Sequence, residues 1–226
     1  MLQPSRSALL FMSNTQQNLR IFCDLDGLLA SLFDAVSHKL FNKTYKQITP
    51  DEKQEAKKIW YDRSHFVNNF GDVEEFFATL PPYGRNGELT NAIVDTVVGF
   101  AGSYKICSHP AGIDSKASEA GKRIWIHKHL NPLPDEMYFP QNKAEYALGE
   151  DGTPNVLIDD FPPYIKAWRD AGGIAIEMRT DSFHSPEQVK SFLTKKLLAA
   201  KKKIDGEDVR VESFDSTVSR LLQSFI

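Results

Sequence analysis

Residues 21–27 have the sequence Ile-Phe-Cys-Asp-Leu-Asp-Gly, in which an apolar run ends abruptly in two carboxylates and a glycine. Such a run predicts a buried strand, with both acids at its carboxyl end. In open α/β sheets this is the end at which ligands bind. A polar turn after an ordinary strand has the same pattern, so the choice between the two depends on the rest of the chain.

Further along the chain, predicted strands alternate with predicted helices. Strands are expected at residues 104–107, 136–139, 155–158 and 173–177, and helices at about 86–100, 116–130 and 162–171 and from Ser185 onward. This alternation predicts βαβ units. We therefore expect an α/β fold with a Rossmann-like, doubly wound parallel sheet and right-handed crossovers.

Residues 30–85 contain helical patterns and no strand, which predicts a small helical cap inserted after strand one. Helices are expected at about 28–41, 50–61 and 72–78, and Thr49 and Glu52 form a capping box around Pro50 at the start of the second. The predicted organisation is a lead-in at 1–19, an α/β core at 20–29 and 86–200, the cap at 30–85, and a C-terminal helical extension at 201–226.

Composition excludes some classes of protein. The 226 residues include 30 acidic and 27 basic side chains, a balance that argues against a dedicated nucleic-acid binder. No apolar run approaches the roughly 20 residues that span a bilayer. Cys23 and Cys107 lie in predicted buried strands and are expected to be core thiols in a reducing compartment. We expect a cytoplasmic protein with no membrane partner and no stable nucleic-acid complex.

Polar groups follow the other predicted strands as well. Ser108 follows the strand at 104–107, Lys143 comes just after the strand at 136–139, and Asp159 and Asp160 follow the strand at 155–158. In a parallel sheet these groups meet at one edge, together with the acids after strand one. So many carboxylates are costly to assemble without a bound cation. Mg²⁺ suits such a site because it is bound through one or two carboxylates and a substrate phosphate.

Taken together, these motifs resemble those of the haloacid dehalogenase-like phosphohydrolases over about residues 20–180. The resemblance implies that family's core fold, with Asp24 as a nucleophile that forms an aspartyl-phosphate. Asp26 would protonate the leaving oxygen and then activate the hydrolytic water. Ser108 and Lys143 would bind the phosphoryl oxygens. Carboxylate nucleophiles of this kind divide one difficult displacement into two easier steps.

The same resemblance implies a magnesium site. Mg²⁺ would be held by Asp24, the backbone carbonyl of Asp26 and Asp159, with Asp160 acting through the water shell of the metal. Asp26 also bears on the reaction type, because dehalogenating members of the family lack this second aspartate. The resemblance therefore implies a phosphatase rather than a dehalogenase.

More narrowly, the chain resembles the 5'(3')-deoxyribonucleotidases at residues 24–30, 76–84, 106–110 and 157–160. This resemblance implies a nucleoside monophosphate substrate, with Phe76 and Phe77 closing over the base. Alternatively, these two rings fill the interior of the cap. His109 lies beside the phosphate position, where it either contacts substrate or points to solvent. Relatives often dimerise, so a homodimer is one expected state.

The predicted function is therefore Mg²⁺-dependent hydrolysis of nucleoside monophosphates, deoxyribonucleotides in particular, through an aspartyl-phosphate. Two alternatives stay open. One is a phosphatase of the same chemistry that acts on another small phosphate ester or on a nucleic-acid 3'-phosphate end. The other is a noncatalytic phosphate-binding module on the same fold.

Overall fold

A computed structural model describes residues 19–206 and confirms the predicted α/β class. Its sheet has five parallel strands: β1 (Ile21–Cys23), β2 (Lys105–Cys107), β3 (Glu136–Tyr138), β4 (Val156–Asp159) and β5 (Ile174–Glu177). The strand order is β3-β2-β1-β4-β5. The chain moves outward in one direction from β1 to β3 and in the other from β4 to β5. The point at which the direction changes lies beside β1, where such sheets bind ligands.

The helices are α1 (Leu32–Phe41), α2 (Pro50–Tyr61), α3 (Arg63–Phe70), α4 (Val73–Ala78), α5 (Glu88–Ala101), α6 (Ser115–His129), α7 (Pro162–Asp170) and α8 (Pro186–Ile204). Short 3₁₀ turns occur at Arg85–Gly87, Lys143–Tyr146 and Thr180–Ser182. None of the helices within residues 19–206 is both long and apolar enough to span a bilayer.

The two faces of the sheet have separate apolar layers. In β1, Ile21 and Cys23 pack into the larger layer, which also contains buried side chains of α5, α6 and α8. Phe22 points to the opposite face and packs against Trp168 of α7, with their ring centroids 5.5 Å apart. Alternate residues of a strand point to opposite faces, so a strand covered on both sides is apolar throughout. This explains the continuous apolar run before Asp24.

Two differences from the predicted elements concern the segment predicted as the cap. The first helix begins at Leu32 rather than at residue 28, because residues 25–30 form a tight turn in which the N–H of Gly27 donates to the carbonyl of Ala30 at 2.9 Å. Helix α3 was not predicted. It begins after Asp62, whose carboxylate accepts a hydrogen bond from the N–H of His65 at 3.0 Å. Residues 207–226 of the predicted C-terminal helical extension and residues 1–18 of the predicted lead-in lie outside the described residues.

The last cap helix packs tightly against the core. Helix α4 lies against α6 at Gly121, where an added methyl group would clash with the carbonyl oxygen of Glu74 and lie 2.9 Å from the Cβ of Phe77. Nearby, the indole N–H of Trp125 donates to the carbonyl of Leu80 at 2.6 Å. This contact holds the end of the predicted cap beside the core helix. The cap boundary at residues 30–85 stays a prediction.

Candidate active site

The turn after β1 begins the site. The N–H of Asp24 donates to the carbonyl of Ile158 at 2.9 Å, so the sheet pairing with β4 continues up to the first aspartate. Gly27 follows in the left-handed region with φ of 84°, a conformation that disfavours other residues. The carboxylate of Asp160 occupies the space that a side chain at residue 27 would need. The glycine thus lets the β1 turn and the end of β4 approach each other closely.

Three carboxylates meet at this edge of the sheet. Asp24, Asp159 and Asp160 each offer an oxygen, and these oxygens all lie within 4.8 Å of one another. Burial, followed by the charge of Asp24, raises the pKa of Asp159 to about 6. Burial, followed by Asp24 and Asp159, raises the pKa of Asp160 to about 8. The three acids repel one another, and a bound cation would relieve that repulsion.

The donor set fits a hard divalent cation. All three groups are carboxylates, the ligands that Mg²⁺ prefers. Asp160 makes no ion pair with a basic side chain among residues 19–206, and Lys143, which pairs with Asp24 and Asp159, opposes the rise in the pKa of Asp160 only in part. Asp24, Asp159 and Asp160 are therefore the residues that could hold a metal. The side chain of the fourth predicted metal ligand, Asp26, lies outside this group, and its predicted contribution was through the backbone carbonyl.

Lys143 lies between two of the carboxylates, those of Asp24 and Asp159. Its Nζ is 2.8 Å from Asp24 Oδ1 and 2.7 Å from Asp159 Oδ2, and the side chain is buried. Burial alone would lower the pKa of Lys143, but the two carboxylates outweigh it and raise that pKa. The ring of Tyr164 covers the ammonium group at 4.5 Å. The lysine therefore carries a positive charge beside Asp24.

A second buried lysine, Lys122 on α6, was not predicted. Its Nζ lies 2.7 Å from Asp26 Oδ2 and donates to Ser108 Oγ at 3.0 Å and to the carbonyl of His109 at 2.6 Å. These contacts place it between the second aspartate and the predicted phosphate-binding serine. One sequence signal could have revealed it: Lys122 precedes Trp125 and Ile126 by three and four residues, so it lies on the buried face of the helix.

Asp26 has a different environment from Asp24. Its Oδ1 is buried and has no hydrogen-bond partner among the described residues. Burial raises the pKa of Asp26, Lys122 opposes that rise, and the neighbouring Asp24 adds to it. Both acids of the turn therefore pair with a buried lysine, Asp24 with Lys143 and Asp26 with Lys122. A carboxyl with a raised pKa, such as that of Asp26, can hold the proton that a general acid donates.

Phe76 and Phe77 belong to an aromatic cluster of the cap. Phe77 is completely buried, and Lys122 Nζ lies 5.2 Å from the centre of its ring. Phe76 is half-buried, with ring centroids 5.2 Å from Phe66 and 5.1 Å from Phe70. Each ring already packs edge-on or at a tilt against its neighbours. Stacking of a base on either residue stays a prediction.

His109 is half-buried, and its ring does not simply point to solvent. It stacks on Tyr164 with centroids 5.8 Å apart and the two planes 21° from parallel. Burial, followed by the charges of Lys122 and Lys143, lowers the pKa of His109, which favours the neutral imidazole. Tyr164 therefore joins the loop after β2 to the segment after β4, a contact that the sequence did not predict.

A large groove among the described residues lies away from these carboxylates. A groove of about 640 Å³ runs between β5 and α8, lined by apolar side chains such as Phe183 and Phe192 and by basic ones such as Arg169 and Lys196. The acidic group Asp24–Asp159–Asp160 does not line it. We place the chemistry at the carboxylates, because that is where the reactive groups converge.

The chain matches no protein-family model and no curated protein sequence. Among solved structures, it is similar to a hydrolase from Streptococcus pneumoniae TIGR4, with 15% sequence identity and a TM-score of 0.42 over 77% of this chain and 97% of that chain. It is also similar to a haloacid dehalogenase-like family hydrolase from Streptococcus pneumoniae, with 14% identity and a TM-score of 0.41 over 77% of this chain and 98% of that one. At this distance neither similarity identifies a function, which has to come from the residues of the site.

Proposed function

We propose that this protein is a Mg²⁺-dependent phosphomonoesterase of the haloacid dehalogenase-like type that hydrolyses nucleoside monophosphates. One observation carries the proposal: the two aspartates of a single turn pair with two different buried lysines, and one of them, Asp24, also belongs to the group of three carboxylates. Asp24 lies 2.8 Å from Lys143 and beside the metal-binding acids, whereas Asp26 is bound to Lys122 and has a raised pKa. This is the pairing that a nucleophile and a general acid require.

In the first step, an oxygen of Asp24 attacks phosphorus and forms a new P–O bond. The P–O bond to the leaving group breaks, and the proton of Asp26 passes to the leaving oxygen. In the second step, water attacks phosphorus while Asp26 takes up its proton. The bond between Asp24 and phosphorus breaks, phosphate leaves, and both aspartates return to their starting states.

The two lysines and the serine have distinct tasks in this scheme. Lys143 and Ser108 bind the phosphoryl oxygens, on which charge is concentrated in the transition state. Lys122 holds the carboxylate of Asp26 and the hydroxyl of Ser108 in a fixed relationship through its contacts to both. It is a positioning residue for the acid and also adds positive charge near the phosphoryl group.

Asp24, Asp159 and Asp160 would hold the metal. When bound, Mg²⁺ supplies charge that offsets the repulsion between an anionic phosphate and these carboxylates. The protein's own part is to deliver the acids from the ends of β1 and β4. Phe161 contributes by donating its N–H to Asp159 Oδ1 at 2.8 Å, which fixes the orientation of that carboxylate.

The proposal is tested by phosphate release from ribo- and deoxyribonucleoside 5'- and 3'-monophosphates, with sugar phosphates and a 3'-phosphorylated oligonucleotide beside them, with and without Mg²⁺. We expect Mg²⁺-dependent release from the nucleotides. Release from sugar phosphates alone would retain the chemistry and reject the nucleotide substrate, and release from the oligonucleotide alone would favour a nucleic-acid end. Phosphate binding with no turnover of any substrate would favour the noncatalytic module.

A further inference from the structure

The groove between β5 and α8, which we call the β5 groove, has no part in the reaction scheme. Its volume of about 640 Å³ lies in the range of ligand-binding pockets rather than of packing defects. Its apolar lining includes the half-buried rings of Phe183 and Phe192, whose centroids lie 5.3 Å apart. Residues 174–179 all line it as well, so the groove follows the strand and the first residues after it.

The strand beside this groove has backbone groups that point away from the sheet. Among the described residues, β5 is an edge strand with β4 as its neighbour, and the N–H groups of Ile174 and Met178 donate toward β4 at 2.9 Å. The alternate residues, Ala175 and Glu177, therefore direct their N–H and carbonyl groups away from β4. Arg169 donates to the carbonyl of Ala175 at 2.8 Å. The backbone groups of Glu177 have no such partner within the described part of the chain, and edge groups of this kind readily pair with another segment.

The charged side chains that line the groove are mostly basic. Four are basic and one is acidic: Arg169, Arg179, Lys196, Lys203 and Glu177. An ion pair with Asp181 at 3.4 Å offsets the charge of Arg179 in part, whereas both lysines are exposed. Two copies of such a surface would repel each other, which disfavours a second copy of the groove as its occupant. An acidic segment with apolar side chains has the complementary chemistry.

Residues 207–226, which follow α8 in the sequence, have this composition, and we call them the 207–226 segment. Its charged residues are four acids and two bases, and eight of its residues are apolar: Val209, Val211, Phe214, Val218, Leu221, Leu222, Phe225 and Ile226. It begins four residues after Lys203 of the groove lining. The lining residues of α8 run from Phe192 to Lys203, about 17 Å along the helix axis. About five extended residues cover that distance, so the segment is long enough to follow the whole groove.

We propose that the β5 groove binds the 207–226 segment of its own chain. Apolar side chains of the segment cover the rings of Phe183 and Phe192, and its acids lie near Lys196 and Lys203. Because the segment is joined directly to α8, its effective concentration at the groove is high. That advantage favours it over a free partner of the same chemistry. The groove lies away from the carboxylates, so this binding does not depend on phosphatase activity.

Amide hydrogen exchange in the full chain tests this binding. One variant neutralises the four acids of the segment together: Glu207→Gln, Asp208→Asn, Glu212→Gln and Asp215→Asn. We expect the backbone amide of Glu177 to exchange about tenfold faster in this variant than in the wild type, because several ion pairs to the groove are lost at once. The amides of β3, the strand at the opposite edge of the sheet, should be unchanged and show that the fold is intact. Equal exchange at Glu177 in both proteins would overturn the proposal.

A second pair of variants changes the groove instead of the segment. Lys196→Glu reverses one charge of the lining and should also accelerate exchange at Glu177. Lys190→Glu is the matched control, because Lys190 is exposed on the same helix but does not line the groove. If the two variants exchanged at the same rate at Glu177, the segment would not bind through this groove.

The dependence on protein concentration identifies which chain supplies the segment. Exchange at Glu177 that is equally slow in dilute and concentrated wild-type protein supports binding within one chain. Exchange that slows as the concentration rises, together with a doubled mass in solution, would overturn the proposal and assign the groove to the segment of a second copy.

Discussion

The Nζ of Lys122 lies 2.7 Å from Oδ2 of Asp26, and the lysine side chain is completely buried. An ammonium group has three N–H donors, and here they meet three acceptors: Asp26, the hydroxyl of Ser108 and the carbonyl of His109. Such full pairing is what makes a buried charge tolerable. It also means that one side chain fixes the second aspartate relative to the loop after β2.

Replacing this lysine should therefore damage both stability and turnover. We expect Lys122→Met to lower the free energy of unfolding by about 3 kcal/mol, the lower end of the range for removing one member of a buried ion pair. The loss stays at that end because burial already raises the pKa of Asp26, so its carboxyl can remain protonated and uncharged once the lysine is gone. Turnover should fall about 10²- to 10⁴-fold, the usual contribution of a positioned acid and base. Urea unfolding and kcat measure the two effects.

Lys128→Met is the matched control for that variant. Lys128 lies on the same helix but is exposed. The free energy of unfolding of Lys128→Met should therefore stay within about 0.5 kcal/mol of the wild-type value. Wild-type turnover in Lys122→Met, with Lys128→Met behaving as expected, would mean that proton transfer by Asp26 does not depend on its contact with Lys122.

The contrast between Lys143 and Lys122 shows which parts of the site a sequence can predict. Asp24 and Ser108 directly follow β1 and β2, Asp159 is the last residue of β4, and Lys143 comes shortly after β3. Because the ends of parallel strands meet at one edge, predicting the strands was enough to bring these residues together. Lys122 reaches the site from the middle of a helix. Its place depends on how α6 is rotated about its axis, which the sequence indicates only through the burial of Trp125 and Ile126.

Contacts between distant segments were harder to predict. The pairing of His109 with Tyr164 depends on the spacing of the loops after β2 and β4, and no local pattern encodes that spacing. Helix α3 was missed for a different reason. Its residues include His65 and two asparagines, which have modest helix propensity, and the stabilising contributions come from the Asp62 cap and the burial of Phe66.

The proposed role of Asp24 as nucleophile can be tested with a variant of the same shape. Asp24→Asn preserves the shape of the side chain and removes the attacking carboxylate, so phosphate release should fall to background. Stability should not fall in the absence of metal, because the variant removes a negative charge beside Asp159 and Asp160. Thermal unfolding and phosphate release check both statements. Asp95→Asn, at an exposed position on α5, should keep full activity.

Turnover retained in Asp24→Asn would mean that the nucleophile lies elsewhere. A large loss of stability in the same variant would mean that Asp24 has a structural role through its contact with Lys143 at 2.8 Å.

Metal binding should be visible as a gain in stability. Because Asp24, Asp159 and Asp160 repel one another in the native state, Mg²⁺ should raise the Tm of the protein, and EDTA should reverse the rise. At a free concentration 100 times the Kd, a ligand that binds only the native state contributes about 2.7 kcal/mol. Asp160→Asn should lose much of this gain, and Asp95→Asn should keep it. An equal Mg²⁺-induced Tm shift in wild type and Asp160→Asn would remove Asp160 from the site.

The contact between the predicted cap and the core predicts opposite changes in stability for alanine substitutions at two glycines. At Gly121 an added methyl group would clash with the carbonyl of Glu74 and press on Phe77, which lies beneath Lys122. Overpacking of this kind costs about 1–3 kcal/mol, and the better helix propensity of alanine offsets roughly 1 kcal/mol of it. We therefore expect Gly121→Ala to be destabilised by up to about 2 kcal/mol and to lose activity as Phe77 displaces the lysine.

Gly99 provides the comparison because it also lies within a helix, α5, but has nothing within 4 Å of an added methyl group. Gly99→Ala should be stabilised by about 0.5–1 kcal/mol, since alanine has less backbone freedom to lose on folding. Urea unfolding of both variants measures the difference. If Gly121→Ala were as stable and as active as Gly99→Ala, α4 would have room to move away from α6, and the close packing at Gly121 would not be what positions Lys122 against Asp26.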